Sequence, residues 1–323
     1  MTTPPSPEAQ ADTDRLIDYV NEQIELLSFE QIDADLLKKM VQSLADPRRA
    51  ARIGLIDALG QIGEPATPFL LEGLANHPDQ TVRKACCHAL AITDEGASVA
   101  GLVDALLNDV DIGVKSAAAG ALAKVGAPAF EAIRAVLASE SASESCKGHA
   151  AWAMASMSNE VSDRLYQVMD DPSAAVRTAA VGAIAQLAQQ QLAADAAPSS
   201  NALNLPSASL PLSQLPTSAQ STLELLIKAL EDSDADVRIE AAAHLARLDY
   251  QAAYQPLVTC LTDADWEVRK AAVLALGKLG NAATVDAIAP LKKDPERAVQ
   301  SIAELVIRQI ESRSASSSAN GIR

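Results

Sequence analysis

A pattern that returns about every 30–32 residues limits what this chain can fold into. Its clearest copy spans Asp234–Leu248, where an acidic turn leads into Val237-Arg238 and then a helix rich in alanine. With Arg238 as position zero, Val237 stands at −1, Ala241 and Ala242 at +3 and +4, and Leu245 at +7. Those offsets form one apolar stripe of a 3.6-residue helix. The same register falls at Arg52, Arg83, Lys115, Lys147, Arg177, Arg238, Arg269 and Gln300. Seven residues after each come Leu59, Leu90, Leu122, Met154, Ile184, Leu245, Leu276 and Ile307. A fixed period of this size predicts helical hairpins that bury their core against their neighbours in a stack. The expected class is therefore all-α, an α-α superhelix of about eight repeats.

One step is double length, from Arg177 to Arg238, and it contains Pro198, Pro206, Pro211 and Pro216 among Ser, Asn and Ala. That composition predicts a linker over 192–218. The chain then divides into a disordered tail over 1–11, a capping helix and repeats one to five over 12–191, the linker, repeats six to eight over 219–311, and a Ser-rich disordered tail over 312–323. Gly63 with Pro65, and Gly126 with Pro128, should stop the second helices of repeats one and three. The second helices of repeats two to five should start near Thr81, Gly113, Ser145 and Ala175. Six residues before the anchors stand Asp46, Asp109, Asp171, Asp232, Asp263 and Asp294, with His77 and Ser141 in the remaining two turns. An Asp at this turn, with an Arg at the start of the next helix, predicts an ion ladder along the stack, a structural role.

Net charge is −16, which argues against a nucleic-acid partner, since phosphate binding needs clustered Lys and Arg. No apolar run reaches the roughly 18 residues of a membrane span, and residues 1–11 lack a basic, then apolar, leader pattern. Cys86, Cys87, Cys146 and Cys260 have neither disulfide-framework nor zinc spacing, so a reducing cytoplasmic setting is expected, with no metal. Cys86 and Cys87 fall at +3 and +4 and Cys146 at −1, all predicted core positions. No nucleophile–base pair or Gly-rich phosphate loop is present.

Repeats supply their own control, because a residue required by the fold should resemble its equivalents elsewhere in the chain. Positions +2 and +5 face away from the core stripe and hold Gly54 and Asp57, Ala117 and Gly120, Ala179 and Gly182. In repeat four they hold His149 and Trp152, and in repeat two +5 is His88. Small residues at +5 on either side of Trp152 predict a recess beside an aromatic wall, suited to a flat conjugated ligand or a partner's side chain. Tyr166 and Arg164 follow in the next first helix. Trp266 occupies a turn at −3 and is expected on an edge.

Gly148-His149-Ala150-Ala151-Trp152-Ala153, the Asp163-Arg164-Leu165-Tyr166 segment and the repeated Asp-x-x-x-x-Val-Arg lines resemble the HEAT-like repeat phycobilisome lyase family of cyanobacteria. The likeness extends over about residues 36–310. It implies a HEAT-like solenoid that assists attachment of an open-chain tetrapyrrole, a phycobilin, to a cysteine of a phycobiliprotein. The nucleophile would belong to the acceptor protein. His149 and Asp163 would handle protons at the pyrrole nitrogens. Trp152 would stack on the rings, and Arg164, Tyr166, Arg177 and His88 would complete the bilin site, with Arg164, Arg177 or Lys147 pairing with propionates. Ala150 and Ala151 replace the doubled aromatic of E-type subunits, and the order Cys87-His88 reverses the pair of isomerising subunits. A single-chain lyase or a bilin chaperone is the better match. The alternative is a non-catalytic adaptor that binds phycobiliproteins during phycobilisome assembly or turnover.

Overall fold

The computed structural model describes residues 7–26, 32–93, 96–195, 217–248, 250–279 and 282–320. They form a helix α1 (Pro7–Glu25) followed by eight helix pairs. The first four are α2 (Ala34–Ser43) with α3 (Arg49–Ile62), α4 (Thr67–Asn76) with α5 (Gln80–Thr93), α6 (Val99–Asn108) with α7 (Ile112–Val125), and α8 (Phe130–Ala138) with α9 (Glu144–Ser156). The second four are α10 (Ser162–Gln167) with α11 (Ala174–Asp195), α12 (Thr217–Lys228) with α13 (Ala235–Leu248), α14 (Tyr254–Cys260) with α15 (Trp266–Leu279), and α16 (Ala282–Ile288) with α17 (Arg297–Asn320). No strand occurs among the described residues. The architecture is an α-α solenoid in two compact units, Met1–Val161 and Ser162–Arg323.

Within each unit every second helix packs on the second helix of the next pair. The apolar stripe read from the repeat is the surface they share. Leu59, Leu90, Leu122, Met154, Ile184, Leu245 and Leu276 are completely buried, and Ile307 is 2% exposed. At −1, Val82, Val114, Val176, Val237, Val268 and Val299 are completely buried. Alanines such as Ala118, Ala119, Ala241 and Ala242 let the helices approach closely, which is how a chain so poor in aromatics fills its core. Gly63 and Gly126 end α3 and α7 at φ 77° and 75°, where any other L-residue would be strained, and a Pro in the following 3-10 turn fixes the corner.

The ladder holds the turns in register. Arg83 donates from Nε and Nη2 to both oxygens of Asp109, at 2.8 and 3.0 Å. Arg177 does the same to Asp232 (2.8 and 2.7 Å), Arg238 to Asp263 (2.8 and 2.8 Å) and Arg269 to Asp294 (2.7 and 2.8 Å). Each arginine also donates from Nη1 to the carbonyl six residues before it, as Arg238 does to Asp232 at 2.8 Å. Each aspartate closes its own turn by accepting the backbone N–H two residues on. Gln300, in the last pair, makes among the described residues only the bond to its own turn, to the Asp294 carbonyl.

The described helices can be set beside the sequence-derived boundaries at four places. The division into units falls at Val161 and Ser162, not at the 192–218 linker. Across that segment α11 packs on α12 and α13, and Arg177 reaches Asp232, so the insertion interrupts the chain without interrupting the stack. Helix α11 runs to Asp195, four residues into the expected linker, while 196–216 lie outside the described residues. Helix α1 starts at Pro7, inside the expected 1–11 tail, because proline at the first helical position costs no hydrogen bond. Helix α17 reaches Asn320 rather than ending at 311, since a packed helix extends at one bond per residue through Ala and Ser. Residues 1–6 and 321–323 of the two expected tails lie outside the described residues.

Burial by itself would raise Asp109, Asp232 and Asp263. The guanidinium opposite each, the backbone N–H and the cation's charge outweigh it and hold all three below the usual carboxylate range. For Asp294 the hydrogen bond from Arg269 leads. A carboxyl lowered in the folded state adds stability above its unfolded pKa of about 3.9 and loses it as pH falls through the lower folded value. The melting temperature should therefore hold from pH 7 to about 5 and drop steeply below about 4. Asp263→Ala should cost about 3 kcal/mol in urea unfolding by stranding Arg238, and its acid drop should be shallower than the wild type's. Asp286→Ala, at an exposed site, should stay within about 0.5 kcal/mol.

Candidate functional site on the second-helix face

Helix α9 carries the repeat-four departures. Ser143 caps it, its hydroxyl accepting the Cys146 N–H at 3.3 Å, which fixes the rotation of everything after it. Cys146, Ala150, Ala153 and Met154 then enter the core. His149 and Trp152 are left on the opposite side, one turn apart, the imidazole half-buried and the indole 56% exposed. His149 Nδ1 donates to the Ser145 carbonyl at 2.7 Å, so Nε2 is the accepting nitrogen of the neutral ring. A side chain at Gly120 or Gly148 would meet nothing within 4 Å. Of the two expected flanks of the recess, Gly120 thus gives open ground, and Gly182 belongs to the second unit, where its Cβ would lie 3.6 Å from His244 Nε2.

The remaining sequence-derived residues divide between the units. His88, at the equivalent position of α5, borders a cavity of about 390 Å³ with Arg52, Ile53 and Lys84. The protein packed around its ring, and then the Lys124 charge, push His88 below the ordinary histidine value. Asp163, Arg164 and Tyr166 share α10 of the second unit, the first two exposed. Tyr166 Oη lies 2.8 Å from Thr222 Oγ1, which donates to Gln191 at 2.9 Å. The phenol therefore joins α10 to α12 and, through Thr222, to α11. Arg177 is a ladder member, its side chain 11% exposed. The structure thus gives both residues a structural use. His149 with Trp152 on α9, and Asp163 with Arg164 on α10, are the sets brought together on single helices.

Position +6 holds a residue that sequence comparison between repeats should have found. It is alanine at Ala58, Ala89, Ala121, Ala153, Ala183 and Ala275, and His244 in repeat six. His244 Nε2 lies 2.7 Å from Glu240 Oε1, and the hydrogen bond from the imidazole, followed by its charge, lowers Glu240 against the effect of burial. His244, Arg247, Lys278, Gln186 and Gln189 border a cavity of about 670 Å³ in the second unit. At the edge, Trp266 is half-buried and Lys270 Nζ sits 4.7 Å from its ring centre, a cation–π contact. Among the described residues no group of three His, Cys, Asp or Glu is placed to hold a metal ion, and no helix is long and apolar enough to cross a membrane.

All four cysteines are free and buried. Burial raises Cys86 far above the ordinary thiol range, Cys87 to about 12 and Cys260 to about 11. Cys146 Sγ donates to the Leu106 carbonyl at 3.2 Å and accepts from Ser143 Oγ. Ellman's reagent should find no reactive thiol in the native protein at pH 7 and four after denaturation. Trp152→Ala should change stability by less than about 1 kcal/mol, as expected of an exposed site, whereas Met154→Ala, two residues on and completely buried, should cost about 2–5 kcal/mol. Urea titration of the two variants checks the rotation of α9.

Comparison with known family models finds the same repeat. Residues 37–123 and 223–308 match the HEAT repeats, and residues 163–191 match the HEAT repeat. No curated protein matches the chain. Similar solved structures include YibA of Escherichia coli, 16% identical, covering 96% of this chain and 99% of that one at a TM-score of 0.36. Human deoxyhypusine hydroxylase is 19% identical over 90% of this chain and 99% of its own, at 0.32. A designed armadillo repeat protein in complex with the peptide (KR)4 is 23% identical over 85% and 99%, at 0.33.

Proposed function

Because the chain belongs to the HEAT-repeat family, we propose that it is a scaffold that binds another protein through the face lined by its second helices. The observation that carries this reading is exposed apolar side chains at one repeat position in each unit. In the first unit position +5 holds Trp152 (56% exposed), and in the second it holds Leu274 (47%) and Leu305 (54%) on the neighbouring helices α15 and α17, where a core role would have buried them. Solenoids use such extended faces for binding, and a partly exposed tryptophan is the residue type that most often anchors an interface.

The narrower reading is that the partner is a phycobiliprotein subunit and that the scaffold presents a phycobilin to its cysteine, as a lyase or a chaperone. Support comes from the likeness at residues 148–153 and from a flat indole standing beside an accepting imidazole nitrogen on open ground. In that reading Trp152 stacks on the tetrapyrrole and His149 Nε2 accepts from a pyrrole N–H. The acceptor's thiol makes the bond to the bilin, consistent with cysteines that are all withheld in the core. Purified phycobiliprotein subunits, run with this protein by size exclusion with light scattering, should give a complex that Trp152→Ala weakens at least tenfold. Co-expression with bilin-synthesis enzymes should give a coloured protein. If the subunits form a complex but no bilin is retained, the protein is the adaptor. Failure of both assays refutes the phycobiliprotein reading.

A further inference from the structure

Arg52 lacks the ladder partner that the other arginines at its repeat position have. It makes the first half of the rung, donating from Nη1 to the Asp46 carbonyl at 2.6 Å, as the ladder arginines do to theirs. The second half needs a carboxylate in the turn of the next repeat, and that turn carries His77. His77 reproduces the local duty of the missing aspartate, since its Nδ1 accepts the Asp79 N–H at 3.1 Å. An imidazole that accepts at Nδ1 carries its proton on Nε2, so it offers a guanidinium no acceptor in place of the aspartate's carboxylate. Among the described residues, Arg52 has no carboxylate partner.

This arginine borders the 390 Å³ cavity between α3 and α5. Arg49 and Lys84 lie beside it, facing one carboxylate in the lining, Asp57. Lys84 is held 3.0 Å from Asp111. Ile53, 45% exposed, and the half-buried Ile56 supply an apolar wall. A local excess of cations in a chain of net charge −16 marks a place where an anion gains and the rest of the surface repels. Two isoleucines are poor company for a phosphate and good company for an aliphatic side chain. The overall negative charge also disfavours an extended polyanion.

We propose that the cavity receives an acidic segment of a partner protein, with an Asp or Glu completing the open rung on Arg52 and a neighbouring apolar residue packing on Ile53 and Ile56. The inference rests on the scaffold reading and names the chemistry of the partner at this site. It does not depend on a phycobilin or on Trp152.

The test uses the full-length protein and a fluorescein-labelled peptide, Gly-Leu-Glu-Glu-Leu-Gly, followed by anisotropy at low salt. The peptide should bind, its Gln-for-Glu analogue should bind at least tenfold more weakly, and added salt should weaken the Glu peptide. Arg52→Gln should lose at least tenfold. His77→Asp is the sharper variant, because it supplies the rung from within the chain. It should raise the melting temperature and weaken the peptide at least tenfold in the same molecule. Absence of binding, equal binding of the Glu and Gln peptides, or wild-type affinity in either variant overturns the proposal, as does a His77→Asp protein no more stable than the parent. Peptide failure alongside a Trp152-dependent phycobiliprotein complex removes this inference alone. Peptide binding without such a complex removes only the phycobiliprotein reading.

Discussion

The second unit depends on a three-way bond at the turns. One aspartate closes its own turn through a backbone N–H, accepts a forked guanidinium from the preceding repeat, and lends its carbonyl to the arginine of its own repeat. The side chains of the four described rungs are 3–14% exposed, so a misplaced turn would leave either partner as an unpaired, desolvated charge. That penalty, more than the attraction itself, makes the register unique. Alanine-rich helices need such a device, because smooth faces of Ala and Leu would pack nearly as well after a slip. The apolar stripe supplies adhesion between neighbouring helices, and the rung sets where each helix stops sliding.

The same division explains why binding features can be read against the repeat. Core positions and rung positions are spoken for, so a departure there alters the frame, and a departure at +2 or +5 alters the surface. His149 and Trp152 are surface departures, His244 stands at a position that the other repeats bury, and His77 is a frame departure whose effect appears on another residue, Arg52.

The register at −1 and +7, the glycine stops and the ladder were legible in the sequence because each is a local rule repeated at a fixed spacing. Second helices were placed within one residue, at Gln80, Ile112, Glu144 and Ala174, for the same reason. The boundary at Val161 was not legible, since it depends on which helices pack together across space. The terminal helices ran past their expected limits because composition marks where a helix is unsupported, not where an existing one must end. At the candidate site the exposure of Trp152 followed from its register. The employment of Tyr166 by Thr222 did not, because the two are 56 residues apart on either side of an insertion of unpredictable length. Arg177 was recognised both as a ladder cation and as a candidate ligand, and the structure commits its guanidinium to Asp232. His244 was legible and overlooked, since it needed only the +6 column to be read like the others.

The rung also has a direction, because each arginine reaches forward to the next turn. A polar array of this kind must be closed differently at its two ends. At the start, the Asp46 carboxylate is already taken by the fork of Arg48, two residues on, which in turn reaches Asp14 and the Gln10 carbonyl of α1. At the finish, Gln300 keeps the bond to its own turn and has no charge to offer forward. Among the described residues, neither the first rung position nor the last carries an open half-rung. A heterologous contact that does not close on itself propagates into a fibre. With Asp46 engaged by Arg48 and Gln300 uncharged, the interaction that aligns repeats inside the molecule has no open half at these two positions to offer such a contact.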